Sequence, residues 1–147
     1  ALAELKNENI KKIYFPDSKR EDIFKIINEN DNEFKYHLDR FKYATRYQNI
    51  NEAFHFTEAI KFIERWNKLL AENKYFFGDN PTIADWCIWP FVRQFKIACD
   101  SQKRTNYFKP PIKSWLDSFE NNIRFKSLMY KYKLWEKNSS REYFPIN

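Results

Sequence analysis

Apolar residues along this chain recur mostly at helical spacing and nowhere alternate as a strand would. Residues 1–9, ALAELKNEN, read as the tail of a helix that starts upstream, with Leu2 and Leu5 as a fragment of its stripe, and Ile10 to Pro16 as a connector. Ser18 and Glu21 have capping-box spacing, S-x-x-E, ahead of Ile23, Ile26 and Ile27 on one face. That helix is expected to run to about Glu29, where Asn30-Asp31-Asn32 interrupts the pattern. Phe34, Leu38 and Phe41 then restart the period, as a second helix or as the continuation of a kinked one. Residues 42–50, KYATRYQNI, read as a loop. Asn51 can cap the longest helix, to about Asn73, with Phe56, Ile60, Ile63, Trp66 and Leu70 on its inner face.

The most apolar stretch is Asn80 to Phe95, NPTIADWCIWPFVRQF. It opens with Thr82 and Asp85 in a T-x-x-D capping box, a shorter variant of the usual Glu or Gln form. The box satisfies two orphan N–H groups and puts a negative charge at the positive end of the helix dipole. The helix it starts, about 83–99, is apolar on nearly every side and is expected to be central, with a kink at Pro90. Gly78 can turn the chain ahead of it. Pro110 and Pro111 suit the first turn of a helix carrying Ile112, Trp115, Leu116 and Phe119. A last helix is expected on Ile123, Phe125, Leu128, Met129 and Tyr132, followed by an extended tail over 134–147. The pattern predicts an all-α bundle of about six helices in one domain, 1–147.

Composition narrows this reading. A single glycine argues against a turn-rich β fold and against any glycine-rich phosphate loop. Cys87 and Cys99 have neither metal-ligand nor redox spacing, and both lie in apolar surroundings, which suggests buried free thiols in a reducing compartment. With no secretory signal and no apolar span long enough for a membrane, the expectation is a soluble, cytoplasmic protein. Residues 103–137 carry nine Lys/Arg against three acids and so account for the whole net charge of +6. Such a face can bind nucleic acid; the simpler reading is a solvated surface.

Candidate chemistry is sparse. His37 and His55 have no H-x-x-H or C-x-x-C context, so no metal site is expected. Asp85 is explained by capping, and no carboxylate pair, nucleophile elbow or dinucleotide fingerprint is present. Tyr43, Arg46 and Tyr47 form the most site-like cluster: phenol hydroxyls and a guanidinium on a loop can grip a carboxylate or phosphate. Alternatively the tyrosines cover the core edge while Arg46 pairs with an acid. Arg93, a charge on a very apolar helix, needs solvent or a partner such as Asp39 or Glu64.

The segment 73–95, NKYFFGDNPTIADWCIWPFVRQF, resembles the C-terminal helical domain of glutathione transferases, in which a turn of the form F-x-x-G-D-x-P-[ST]-x-A-D leads into the central helix. PFVRQF, the stretch from Leu38 to Tyr47, and Trp115, Leu116, Phe119, Met129, Lys131, Tyr132 and Trp135 are similar to a bacterial branch of that family. The resemblance covers nearly the whole chain. It implies glutathione as co-substrate, a small electrophile as second substrate, conjugation or reduction as the reaction, and a homodimer as a common assembly. In the family a thioredoxin-like domain holds the glutathione and its activating residue. No βαβ pattern is present here, so no catalytic residue is assigned and the chain alone is expected to be inactive. The half of the cleft that takes the second substrate is the part implied, with Tyr43, Arg46, Trp89 and Arg93 as its candidate residues. The alternative is a non-catalytic module that binds protein or RNA, of the kind appended to translation factors and aminoacyl-tRNA synthetases.

Overall fold

In the computed structural model, residues 12–104, 106–129, 131 and 133–141 are described. The expected helix over 1–9, and Tyr132, lie outside them. Among the described residues every regular element is helical: α1 (Arg20–Glu29), α2 (Lys35–Lys42), α3 (Glu52–Glu72), α4 (Ile83–Ser101), α5 (Pro110–Glu120) and α6 (Ile123–Leu128).

The Ser18–Glu21 box does not form. Asp17–Lys19 is a 3-10 turn closed by Lys19 N–H on the Pro16 carbonyl at 3.0 Å, and α1 enters from it without a side-chain cap. Pro16 holds the chain at φ −66°, ψ 132°, so the turn tightens one residue before Ser18 could act as cap.

α1 and α2 are one continuous rod. Asn30–Phe34 forms a π turn between them, with Lys35 N–H bonding to the Asn30 carbonyl. The NDN tract therefore widens the helix without ending it. Ile23, Ile26, Asn30, Phe34, Leu38 and Phe41 are all buried, so the stripe continues through the interruption with Asn30 in an apolar slot. Asn30 Nδ2 bonds to Asp31 at 3.0 Å, while its Oδ1 and the Trp66 indole N–H are buried without a partner among the described residues.

A short loop turns the chain into α3. Its elements are a 3-10 turn, Ala44–Arg46, and Asn49 at φ 56°. Asn51 caps α3 as expected, its side chain accepting the Phe54 N–H at 3.0 Å. After α3, Tyr75 and Gly78 exchange both backbone hydrogen bonds, with Gly78 at φ 136°, and this reversal aims the chain at the start of α4.

There the capping box is present in both halves. Asp85 is fully buried and its carboxylate accepts four bonds: Thr82 N–H at 2.8 Å, Thr82 Oγ1 at 2.9 Å, Phe76 N–H at 3.0 Å and Trp115 Nε1 at 2.9 Å. Burial raises its pKa, and the two backbone bonds and the side-chain bonds pull back against that rise. One side chain thus ties the turn, α4 and α5 together.

α4 is central through Phe95. Its fully buried ring meets Phe34, Phe41 and Phe56 at centroid distances of 5.7, 5.3 and 6.0 Å, from the α1–α2 rod and from α3. Each such ring pair adds about 0.5–1.5 kcal/mol beyond the area it buries. The helix runs unbroken through Pro90. It is not buried all round, since Ile97 is exposed and Trp86, Cys87 and Phe91 are half-buried. α5 starts at the two prolines as expected, and Asn67 of α3 reaches across to accept the Ile112 N–H at 3.3 Å.

The last helix is shorter than expected and ends at Leu128. Ile123, Leu128 and Met129 are exposed, and among the described apolar side chains of this helix only Phe125 docks, edge-on to Trp89 at 4.8 Å. One anchored ring does not sustain a longer helix. Leu134 and Trp135 of the tail are also exposed.

Candidate functional site

Side chains from α2 and α4 leave a gap where the two helices pass each other. The cavity there holds about 120 Å³ and is lined by Lys35, Leu38, Asp39, Lys42, Tyr43, Phe91 and Gln94. Leu38, fully in the core, and Phe91 give it an apolar floor. Polar groups stand around the rim. Lys42 Nζ donates to Gln94 Oε1 at 3.1 Å and so bridges the two helices. Lys35 Nζ lies 4.5 Å over the Phe91 ring and pairs with Asp31 at 3.4 Å.

Tyr43 closes one end. The Lys42 ammonium lies 4.8 Å from the centre of its ring, and the Arg46 guanidinium 3.9 Å. Lys42, first by hydrogen bond and then by charge, lowers the pKa of the Tyr43 hydroxyl from the usual phenol value. Asp39, the acid on the rim, already accepts the Tyr47 hydroxyl, and that bond raises the pKa of Tyr47. The rim therefore presents cations and one polarised phenol above an apolar floor. Such a site suits a flat apolar body bearing an anionic or electron-rich oxygen.

Of the residues singled out in the sequence, the structure brings Tyr43 and Arg46 together here, with Arg46 stacked on Tyr43 and, among the described residues, not paired with an acid. Trp89 and Arg93 lie on another face of α4. Trp89 is buried and stacks on Phe119 at 5.4 Å with the planes 4° apart. Arg93 Nε bonds to Glu120 at 2.7 Å, so its partner is neither Asp39 nor Glu64, and its guanidinium sits 5.5 Å over Phe125. Thr82 and Asp85 are engaged in capping. Both cysteines are free thiols; burial raises the pKa of half-buried Cys87 and pushes buried Cys99 up to about 12, so both stay protonated. Among the described residues, no group of three or more His, Cys, Asp or Glu could hold a metal, and no helix is long and apolar enough to cross a membrane.

Lys35, Lys42, Phe91 and Gln94 were not among the expected site residues. Phe91 and Gln94 belong to a helix whose rotation about its axis decides which side chains face α2. The adjacency of Lys42 to Tyr43 was the one local signal. The fold class, the cap at the start of α4 and the aromatic core agree with a match to the family model for the C-terminal domain of glutathione S-transferase, which spans residues 37–118, more than half of the chain. The chain belongs to the glutathione S-transferase C-terminal domain family. Within this glutathione S-transferase C-terminal domain, the matched region contains the cavity residues Leu38, Asp39, Lys42, Tyr43, Phe91 and Gln94, together with Asp85 and Trp115. No curated protein and no solved structure matches the chain.

Proposed function

We propose that this helical domain supplies the second-substrate wall of a glutathione-dependent enzyme, and that the cavity at Tyr43 receives a small electrophile. The observation that carries this is the combination of an apolar floor, Leu38 and Phe91, with Lys42, Tyr43 and Gln94 converging on one 120 Å³ cavity. Leu38 and Phe91 bury the apolar body of the substrate. Lys42 and the Tyr43 hydroxyl hold its polar end, and Arg46 stiffens the Tyr43 ring by stacking on it. Trp89 and Arg93 act behind the wall, by fixing α4 against α5 and α6. Glutathione and the group that activates it belong in this reading to a thioredoxin-like domain, so conjugation or reduction needs both halves. The setting that goes with it is a cytoplasmic homodimer.

Mixing the 147-residue chain with a halogenated nitrobenzene tests the reading. Saturable binding is expected, weakened about tenfold by the double variant Lys42→Ala, Tyr43→Phe, which corresponds to about 1.4 kcal/mol. Adding glutathione should give no turnover. Turnover by this chain alone would contradict the division of labour. Equal binding by the double variant would remove the cavity from the substrate path, and salt-sensitive RNA binding in its place would favour the module reading.

A further inference from the structure

His37 and His55 lie outside the cavity just described. They stand on facing helices, α2 and α3, with their Nδ1 atoms 2.9 Å apart. The ring centroids are 5.1 Å apart, about the N···N distance plus the reach of each ring. The rings therefore meet head-on, one Nδ1–H donating to the lone pair of the other Nδ1. A metal bound to both nitrogens would need the two lone pairs to converge beside the N···N line, which head-on rings do not allow. What fits between them is a proton.

We propose that this pair is a proton-operated latch, which closes the base of the 43–51 loop when it holds one Nδ1 proton and opens it when both rings are fully protonated. His37 lies just before that loop in the chain and His55 just after it, so their bond fastens the two ends together. The first added proton goes to the free Nε2 of the donor ring. The N–H···N bond survives this step and becomes charge-assisted. The second proton can only go to the acceptor Nδ1, whose lone pair is the bond itself. Its uptake breaks the bond and leaves two imidazolium rings facing each other.

The surroundings set the strength of the latch. His55 is buried at 5% exposure and His37 is half-buried. From the α1–α2 rod, Arg40 disfavours charge on both rings, Glu33 favours it on His37, and Tyr36 stacks edge-on against both. From α3, Glu58 favours charge on both but is itself held by Lys61 at 2.6 Å, and Phe54 covers both rings. Burial is the largest influence on each ring, and it lowers both pKa values from 6.5. The output runs through Arg40, which sits between the rings of Tyr36 and Tyr47 at 3.6 and 4.9 Å, while the Tyr47 hydroxyl is bonded to Asp39. A dication at the pair repels Arg40, and a shift of Arg40 removes its contact with the Tyr47 ring and leaves the Asp39 bond to hold that end of the loop.

This inference stands whether or not the cavity takes an electrophile. It is tested by following the ring nitrogens of both histidines and the amide hydrogen exchange of residues 44–48 by NMR from pH 8 downward, in the wild-type chain and in His37→Gln. Two separate protonation steps are expected, with the protection factors of the loop amides, which correct for the intrinsic fall of exchange with pH, dropping only at the second. Between the two steps, opening should increase about tenfold per unit fall in pH, because one proton is taken up per opening event, and it should level off below the second. His37→Gln should abolish the rise. Independent titration of both rings near 6.5, an acid-induced rise that persists in His37→Gln, or Zn²⁺ displacing both Nδ1 signals at neutral pH would each overturn the latch.

Discussion

Two polar clusters sit against α4 and behave in opposite ways. At the start of the helix the Asp85 carboxylate is fully buried and accepts four bonds from three segments of chain. Beside its middle, Lys42, Tyr43, Arg46 and Gln94 are partly exposed and held by hydrogen bonds from Lys42 and by cation–ring contacts. A buried charge is tolerated only when its acceptors are filled, so every partner of Asp85 is committed. A half-exposed cluster exchanges partners with water at little cost, so it can give them to a ligand. The most recognisable residues of this chain are accordingly occupied with structure, and the adaptable ones stand ready for chemistry.

Substitutions should separate the two clusters. Asp85→Ala leaves the Phe76 and Thr82 N–H groups and the Trp115 indole N–H without an acceptor, and should cost about 3 kcal/mol or more in denaturant melts. Asp85→Asn keeps an oxygen for Phe76 and Trp115 but turns an amide N–H₂ toward the Thr82 N–H, and should cost about half as much. Thr82→Ala should cost about 1 kcal/mol. Equal effects of all three would mean that the carboxylate does not act as the junction.

The pH dependence of stability gives a middle-sized effect with a clear sign. His37 and His55 have lowered pKa values in the fold, so the unfolded chain takes up protons first as acid is added. Their contribution is complete above 6.5 and is lost as pH falls through the lowered values. Asp85 acts the other way. Its raised pKa means that the fold binds that proton more tightly than the unfolded chain, so acid does not weaken the cap through this group. Urea midpoints should therefore fall as the pH drops below 6.5 in the wild type, and this fall should be absent when both histidines are replaced by Gln. A level wild-type profile would contradict this. The smallest change in stability is expected at the other cluster: Tyr43→Phe should alter the melt by less than about 0.5 kcal/mol.

Much of the bundle was legible in the sequence because it rests on local signals. Asn51 and Thr82 each satisfy orphan N–H groups within their own first turn, and the apolar stripes of α3 and α5 face the core as their spacing requires. Signals failed where the outcome depends on packing between segments. Pro16 and the 3-10 turn displaced the Ser18 box. Asn30 occupies an apolar slot in a helix that only a π turn makes continuous. The Arg93–Glu120 and His37–His55 pairs join different helices, and no local spacing marks either. At the candidate site, Tyr43 and Arg46 were legible as neighbours on a loop. Phe91 and Gln94 became part of it only through the rotation of α4 against α2.

The most direct measurement maps where a ligand touches the chain. A ¹⁵N-labelled sample titrated with a halogenated nitrobenzene should show saturable shifts at Leu38, Lys42, Tyr43, Phe91 and Gln94, with the indole signals of Trp89 and Trp115 unmoved. Shifts confined to the exposed apolar residues of α6 and the tail, or none that saturate, would contradict the assignment of the cavity between α2 and α4 as the substrate wall.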